Sequence, residues 1–183
     1  MEPVTIADRR IIERQIGRRP RGSLAVVRRC AYGYPVVVRV HPVVDGRPFP
    51  TLYWLTCPYL STHIDRLESA GWIGRLEERL AVDDAFAERY RAAQASYVDR
   101  RRALLSDEEC RELAARGMLE SLSERGIGGI RETNRLKCLH VHVAHALVSA
   151  NPVGETVLRK VARVECPPER VICSAFESTE QIV

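Results

Sequence analysis

A chain of 183 residues, 45% apolar and 28% charged, has room for one sizeable core and the composition of an ordinary soluble globular protein. No apolar run approaches the roughly 18 residues of a membrane-spanning helix, and the charged N-terminus MEPVTIADRRIIERQIGRRPRG lacks the apolar centre of a secretory signal. The expected location is therefore cytoplasmic, where six cysteines are too sparse for a disulfide scaffold and stay reduced, free to act as ligands.

The net charge of +4 is unevenly spread. Arg9, Arg10, Arg14, Arg18, Arg19, Arg21, Arg28 and Arg29 crowd the start of the chain, which reads as a basic arm over residues 1–22. Such an arm suits an acidic partner or phosphates, although no aromatic residue interleaves it to stack bases. Within it, residues 5–17 suit a short helix stopped by Gly17. Three strand-like runs follow, SLAVVRRC (23–30), PVVVRVHPVV (35–44) and PFPTLYWLTC (48–57), separated by turn signals at Gly33 and Asp45-Gly46. They predict an antiparallel meander.

From Pro58 the period becomes helical. Thr62 with Asp65 reads as a capping box for a helix ending at Gly71, and a second helix starts near Asp83-Asp84 with Phe86, Tyr90, Ala93 and Tyr97 on its packing face. Ser106 with Glu109 opens a third, and MLESLSER leads to the glycine run. A further helix extends to about Ala150, is broken at Asn151-Pro152, and is followed by another from Val153 to Val164. Residues 23–165 thus read as a single α+β domain, a small antiparallel meander (about residues 23–57) packed on a mainly helical body. Residues 166–183 read as a C-terminal tail, in which Cys166 and Cys173 could bridge only in an oxidising setting.

The run KCLHVHVAHALV (137–148) holds one cysteine and three of the five histidines. Spaced at about 100° per residue on a helix, Cys138, His142 and His145 share one face and His140 points away; on a strand, Cys138, His140 and His142 share one instead. A thiolate and imidazoles so close suit zinc, with iron, copper or nickel chemically admissible. One helix rarely supplies four ligands, so Cys57, ending the third strand, and Cys30, ending the first, are the expected outside partners. A buried His/Cys network and a nucleophilic Cys–His pair are the metal-free alternatives.

Just upstream, RGIGGIRETNRLK places Gly126, Gly128 and Gly129 beside Arg131 and Arg135. Glycines and cations before a helix start can hold a phosphate or carboxylate, although the run matches neither a Walker A loop nor G-x-G-x-x-G. A plain tight connector is the competing reading.

Several of these stretches, GRRPRG (17–22), VVRRC (26–30), PFPTLYWLTCP (48–58), LESAG (67–71), GIGGI (126–130), KCLHVHVAH (137–145) and NPVG (151–154), resemble the bacterial family catalogued as domain of unknown function 501. The resemblance implies a small cytoplasmic protein with no assigned activity, and it marks Cys138, His140 and His145 as the motif. This fits the helical argument only if the helix begins after Cys138, with an extended residue redirecting the thiolate. The resulting expectation is a zinc-type site joining the meander to the helix of Cys138, structural or regulatory. The alternative is a metal-assisted hydrolase or Cys–His enzyme acting on an anionic small molecule.

Overall fold

Four valines in six positions give Pro35–Val40 strong β character, and this strand forms an inner member of the sheet. The computed structural model describes residues 2–132 and 134–177. Its strands are β1 (Glu2–Pro3), β2 (Leu24–Arg29), β3 (Pro35–Val40), β4 (Val43–Val44), β5 (Arg47–Pro48) and β6 (Tyr53–Leu55). Four of them make an antiparallel sheet in the order β1-β2-β3-β6, with Val26 opposite Val38 and Val38 opposite Trp54. The middle strand is shorter than its apolar run suggested. Pro42 has no N–H for the ladder, so Val43-Val44 leaves the sheet and pairs with Arg47-Pro48. Asp45 (φ 52°) and Gly46 (φ 67°) both take the positive φ that this two-residue turn requires. The third predicted strand shrinks to Tyr53–Leu55, beyond Pro48 and Pro50.

The helices are α1 (Ile6–Ile16), α2 (Pro58–Ser69), α3 (Trp72–Val82), α4 (Asp84–Arg102), α5 (Asp107–Ala115), α6 (Glu120–Glu124), α7 (Leu139–Ala146) and α8 (Pro152–Leu158). The α+β class with a helical body therefore holds. Within the basic N-terminal segment, α1 packs on β3 and buries Ile12 completely. Thr5 and Asp8 cap its start, and Gly17 (φ 68°) ends it. Arg29 on β2 bonds Asp8 at 2.7 Å and holds that carboxyl down to about 2. The described part of the C-terminal tail also packs: Ile172–Phe176 forms a 3₁₀ turn against α1 and buries Cys173. Residues 178–183 of that tail lie outside the described residues.

Three helix starts depart from expectation. α2 begins at Pro58, whose fixed φ suits the first helical position, and Thr62 instead bonds the Pro58 carbonyl from inside the helix at 3.0 Å. α3 occupies residues 72–82, where Leu76 and Leu80 mark the buried side at helical spacing. α7 begins only at Leu139, because Glu77 and Glu68 side chains accept the Leu136 and Leu139 amides at 2.8 and 2.5 Å. α4 carries the packing face as spaced, with Phe86, Tyr90, Ala93 and Tyr97 all buried.

α7 and α8 lie back to back at Gly154. A methyl group there would collide with the His142 carbonyl and the Ala146 side chain. Gly154→Ala is expected to cost about 2–3 kcal/mol through overpacking, read as a lower urea midpoint. Gly74→Ala, in open space on α3, should instead gain about 0.5–1 kcal/mol. Equal midpoints for the two variants would contradict the close α7–α8 approach.

Candidate functional site

The backbone of Cys138 (φ −156°, ψ 154°) is extended, and the residue is the N-cap of α7 rather than part of its first turn. Its thiol therefore leaves the helical face of His142 and His145 and turns to His140 and Glu68. Ligand atoms of Glu68, Cys138 and His140 all lie within 4.8 Å of one another. His140 Nδ1 stands 3.3 Å from Glu68 Oε1, and its Nε2 stands 3.3 Å from Asp65 Oδ1. Both carboxylates project from α2, so the cluster spans the α2–α7 seam. His140 and Glu68 keep about a quarter of their side-chain surface, 25% and 23%. Burial lowers the His140 pKa, but its hydrogen bond to Cys138 and the Glu68 and Asp65 charges outweigh it, and the net direction is up.

His142 and His145 face the interior and are fully buried. Asn151 lies between them, its Nδ2 3.4 Å from His142 Nδ1 and 3.2 Å from His145 Nδ1. Its Oδ1 accepts the Gly154 amide, which turns the amide nitrogen toward the rings. An amide nitrogen can only donate, so both Nδ1 atoms accept and both protons sit on Nε2. Among the described residues neither Nε2 has a hydrogen-bond partner. The rings are enclosed by aromatics instead: His145 stacks on Tyr53 and meets Tyr97 edge-on, and His142 tilts against Tyr90. Desolvation pushes the two pKa values down to about 3 for His142 and about 4 for His145. The helical-face grouping of Cys138 with these two histidines is thereby corrected, because the extended N-cap separates them.

The two outside cysteines go elsewhere. Cys57 caps the start of α2 and Cys30 follows β2, and both line a small cavity whose lining does not include Cys138. Among the described residues the convergent group at α7 is completed by Glu68, not by a meander cysteine. Burial pushes the Cys57 thiol up to about 11.

The glycine run is close-packed. Gly126 donates to the Ile130 carbonyl at 2.8 Å, Ile127 to Gln94 Oε1 at 2.5 Å, and Gly129 to the Gly126 carbonyl at 3.0 Å. A Cβ on Gly126 would strike Gln94, and one on Gly129 would press on Pro50. Gly128 is buried with φ 77°, so its need for glycine is conformational. Arg131 pairs with Glu124 at 2.8 Å, and Arg135 lies 3.5 Å from Glu77. α7 starts ten residues beyond Gly129, so the run does not open onto a helix N-terminus. Of the N-terminal arginines, Arg18, Arg19 and Arg21 line an open groove with Arg47 and Phe49, and Arg18 lies over the Trp54 ring at 5.0 Å.

A thiol, an imidazole and a carboxylate are a donor set that zinc accepts, water can complete four positions, and Asp65, at the other ring nitrogen, can orient His140. Glu68 and Asp65 were not legible as site residues, since only the packing of α2 against α7 brings them to His140. Among the described residues no helix is long and apolar enough to cross a membrane. A family model described as "Protein of unknown function (DUF501)" matches residues 26–159. No curated protein and no solved structure matches the chain.

Proposed function

The chain belongs to the DUF501 family, and from the chemistry at the α2–α7 seam we propose that it is a metal-binding protein holding a zinc-type ion there. The observation that carries this reading is the mutual approach of Glu68, Cys138 and His140 within 4.8 Å. A thiolate and an imidazole select a borderline-soft cation over magnesium or calcium. Three protein ligands leave a position for water or an exchanging partner, and the partly exposed site keeps it reachable. The ligands come from helices far apart in sequence, so the ion would clamp α7 to α2 and add to folding free energy. A structural or regulatory role follows from that clamp.

The test is the metal content of the reduced full-length chain compared with Cys138→Ser and His140→Ala. Each variant is expected to lose about one equivalent of zinc-type metal relative to the parent, with a lower melting temperature in the metal-loaded state. Unchanged content in both variants rejects the site.

A second reading rests on the Cys138 thiol and a His140 ring nitrogen lying within 4.8 Å of each other. Without metal, that approach lets the imidazole take the thiol proton as the sulfur attacks, an arrangement suited to covalent chemistry. In that case metal-free protein alkylates at Cys138 faster than at Cys110, and His140→Ala removes the difference.

A further inference from the structure

A second set of sulfurs lines a separate cavity near the β2–β3 turn. The cavity beside Cys30 and Cys57 is also lined by Cys166 and Cys173, so four of the six cysteines surround one small space. They arrive from three parts of the chain. Cys30 sits at the β2–β3 turn, Cys57 at the start of α2, and Cys166 and Cys173 on the C-terminal segment. All six cysteines are free thiols. We propose that Cys30, Cys57, Cys166 and Cys173 form a four-thiolate site for a zinc-type ion, distinct from the α2–α7 cluster and independent of it.

Three features beyond the cysteine count support this. The first is scale: the enclosed space holds about 10 Å³ of water-sized volume, the room of a single small occupant. The second is a donor aimed at sulfur: Gln15 Nε2 donates to Cys173 Sγ at 3.3 Å. Buried thiols used only as small apolar side chains need no such N–H groups, whereas metal-bound thiolates are regularly stabilised by them. The third is the latch that brings the C-terminal segment to the β2–β3 turn. The Ala31 amide donates to Glu165 Oε1 at 3.0 Å, the Tyr32 hydroxyl to the Cys166 carbonyl at 3.0 Å, and the Tyr34 hydroxyl to Glu177 at 2.8 Å. These bonds hold Cys166 and Cys173 facing the other two residues.

The quartet is more open than a filled tetrathiolate. Among the described residues the group with ligand atoms all within 4.8 Å is the one at α7. Binding therefore requires the Cys166–Cys173 segment to close inward, releasing the thiol protons to solvent as the sulfurs bind. The consequence is a C-terminal segment fixed to the end of β2 and the start of α2 by metal.

The experiment uses the full-length chain carrying Cys138→Ser, which disables the α2–α7 site and separates failure of one site from failure of the other. Metal-free, reduced protein is titrated with cobalt(II), then with zinc, and alkylation of each cysteine is followed by mass spectrometry. The expected result is a cobalt–thiolate charge-transfer absorption that zinc displaces, together with zinc protection of the half-exposed Cys30 and Cys166 while Cys110 stays reactive. Adding Cys166→Ser, a change outside the apolar core, should abolish the absorption and the protection of Cys30. Two outcomes overturn the proposal: Cys30 and Cys166 alkylating at the same rate with and without zinc, or a charge-transfer absorption that survives Cys166→Ser.

Discussion

Arg101→Met is expected to destabilise the protein by on the order of 3–5 kcal/mol, because it orphans three carbonyls at once. Arg101 is fully buried near the end of α4. Its guanidinium donates to the Leu122 carbonyl at 3.0 Å through Nε and to the Pro50 carbonyl at 2.6 Å through Nη1, and Nη2 reaches the Leu122 and Arg125 carbonyls. The Tyr97 ring lies 5.6 Å away on its other side. The charge thus knits α4, the residues before β6 and the α6–glycine connector. Arg101→Lys should rescue little, since a single ammonium cannot reproduce the fork. Urea unfolding of the three proteins checks this. A methionine variant within experimental error of the parent would show that these carbonyls find other donors.

Acid is expected to weaken the fold well before its carboxylates protonate. His142 and His145 have folded-state pKa values of about 3 and about 4, below the ordinary 6.5, chiefly through desolvation. The unfolded chain therefore takes up protons first as pH falls. The stabilisation is complete above pH 6.5 and is lost as pH drops toward 4 for His145 and 3 for His142. At pH 5 the loss is about 2 kcal/mol for each histidine. His140, shifted the other way, contributes fully below 6.5 and loses its contribution as pH rises through its raised pKa, so it is nearly constant between pH 6.5 and 5.0. Asp8, held down to about 2, contributes above 3.8 and fails only at lower pH. Unfolding free energies at pH 6.5 and 5.0 should differ by about 3 kcal/mol, and His145→Gln should roughly halve the difference. A flat profile would mean that the imidazoles are hydrated or charged in the native state.

Much of the local structure was legible. The Asp45-Gly46 turn, the caps at Asp83 and Ser106, and the aromatic stripe of α4 each follow from short-range rules that tertiary contacts did not override. α3 was missed although Leu76 and Leu80 carry its signal, and the Thr62–Asp65 capping pattern misled because Pro58 starts the helix first. The site was legible only in part. Cys138 and His140 stand in the motif itself, but Glu68 and Asp65 come from another helix, and no spacing rule links them to it.

The sequence alone determined which chemistry the chain could carry: six cysteines, a knot of histidines, and a sheet-then-helix order. Only the tertiary structure decided how those groups are shared out. An extended backbone at one residue, Cys138, sends its thiol to Glu68 and leaves His142 and His145 to the core. The docking of α1 and the C-terminal segment on the same end of the sheet gathers four cysteines that stand far apart in the chain. Helical or strand periodicity fixes directions within one element. Which elements meet is set by burial across the whole fold, and ligand sets drawn from several elements form only there.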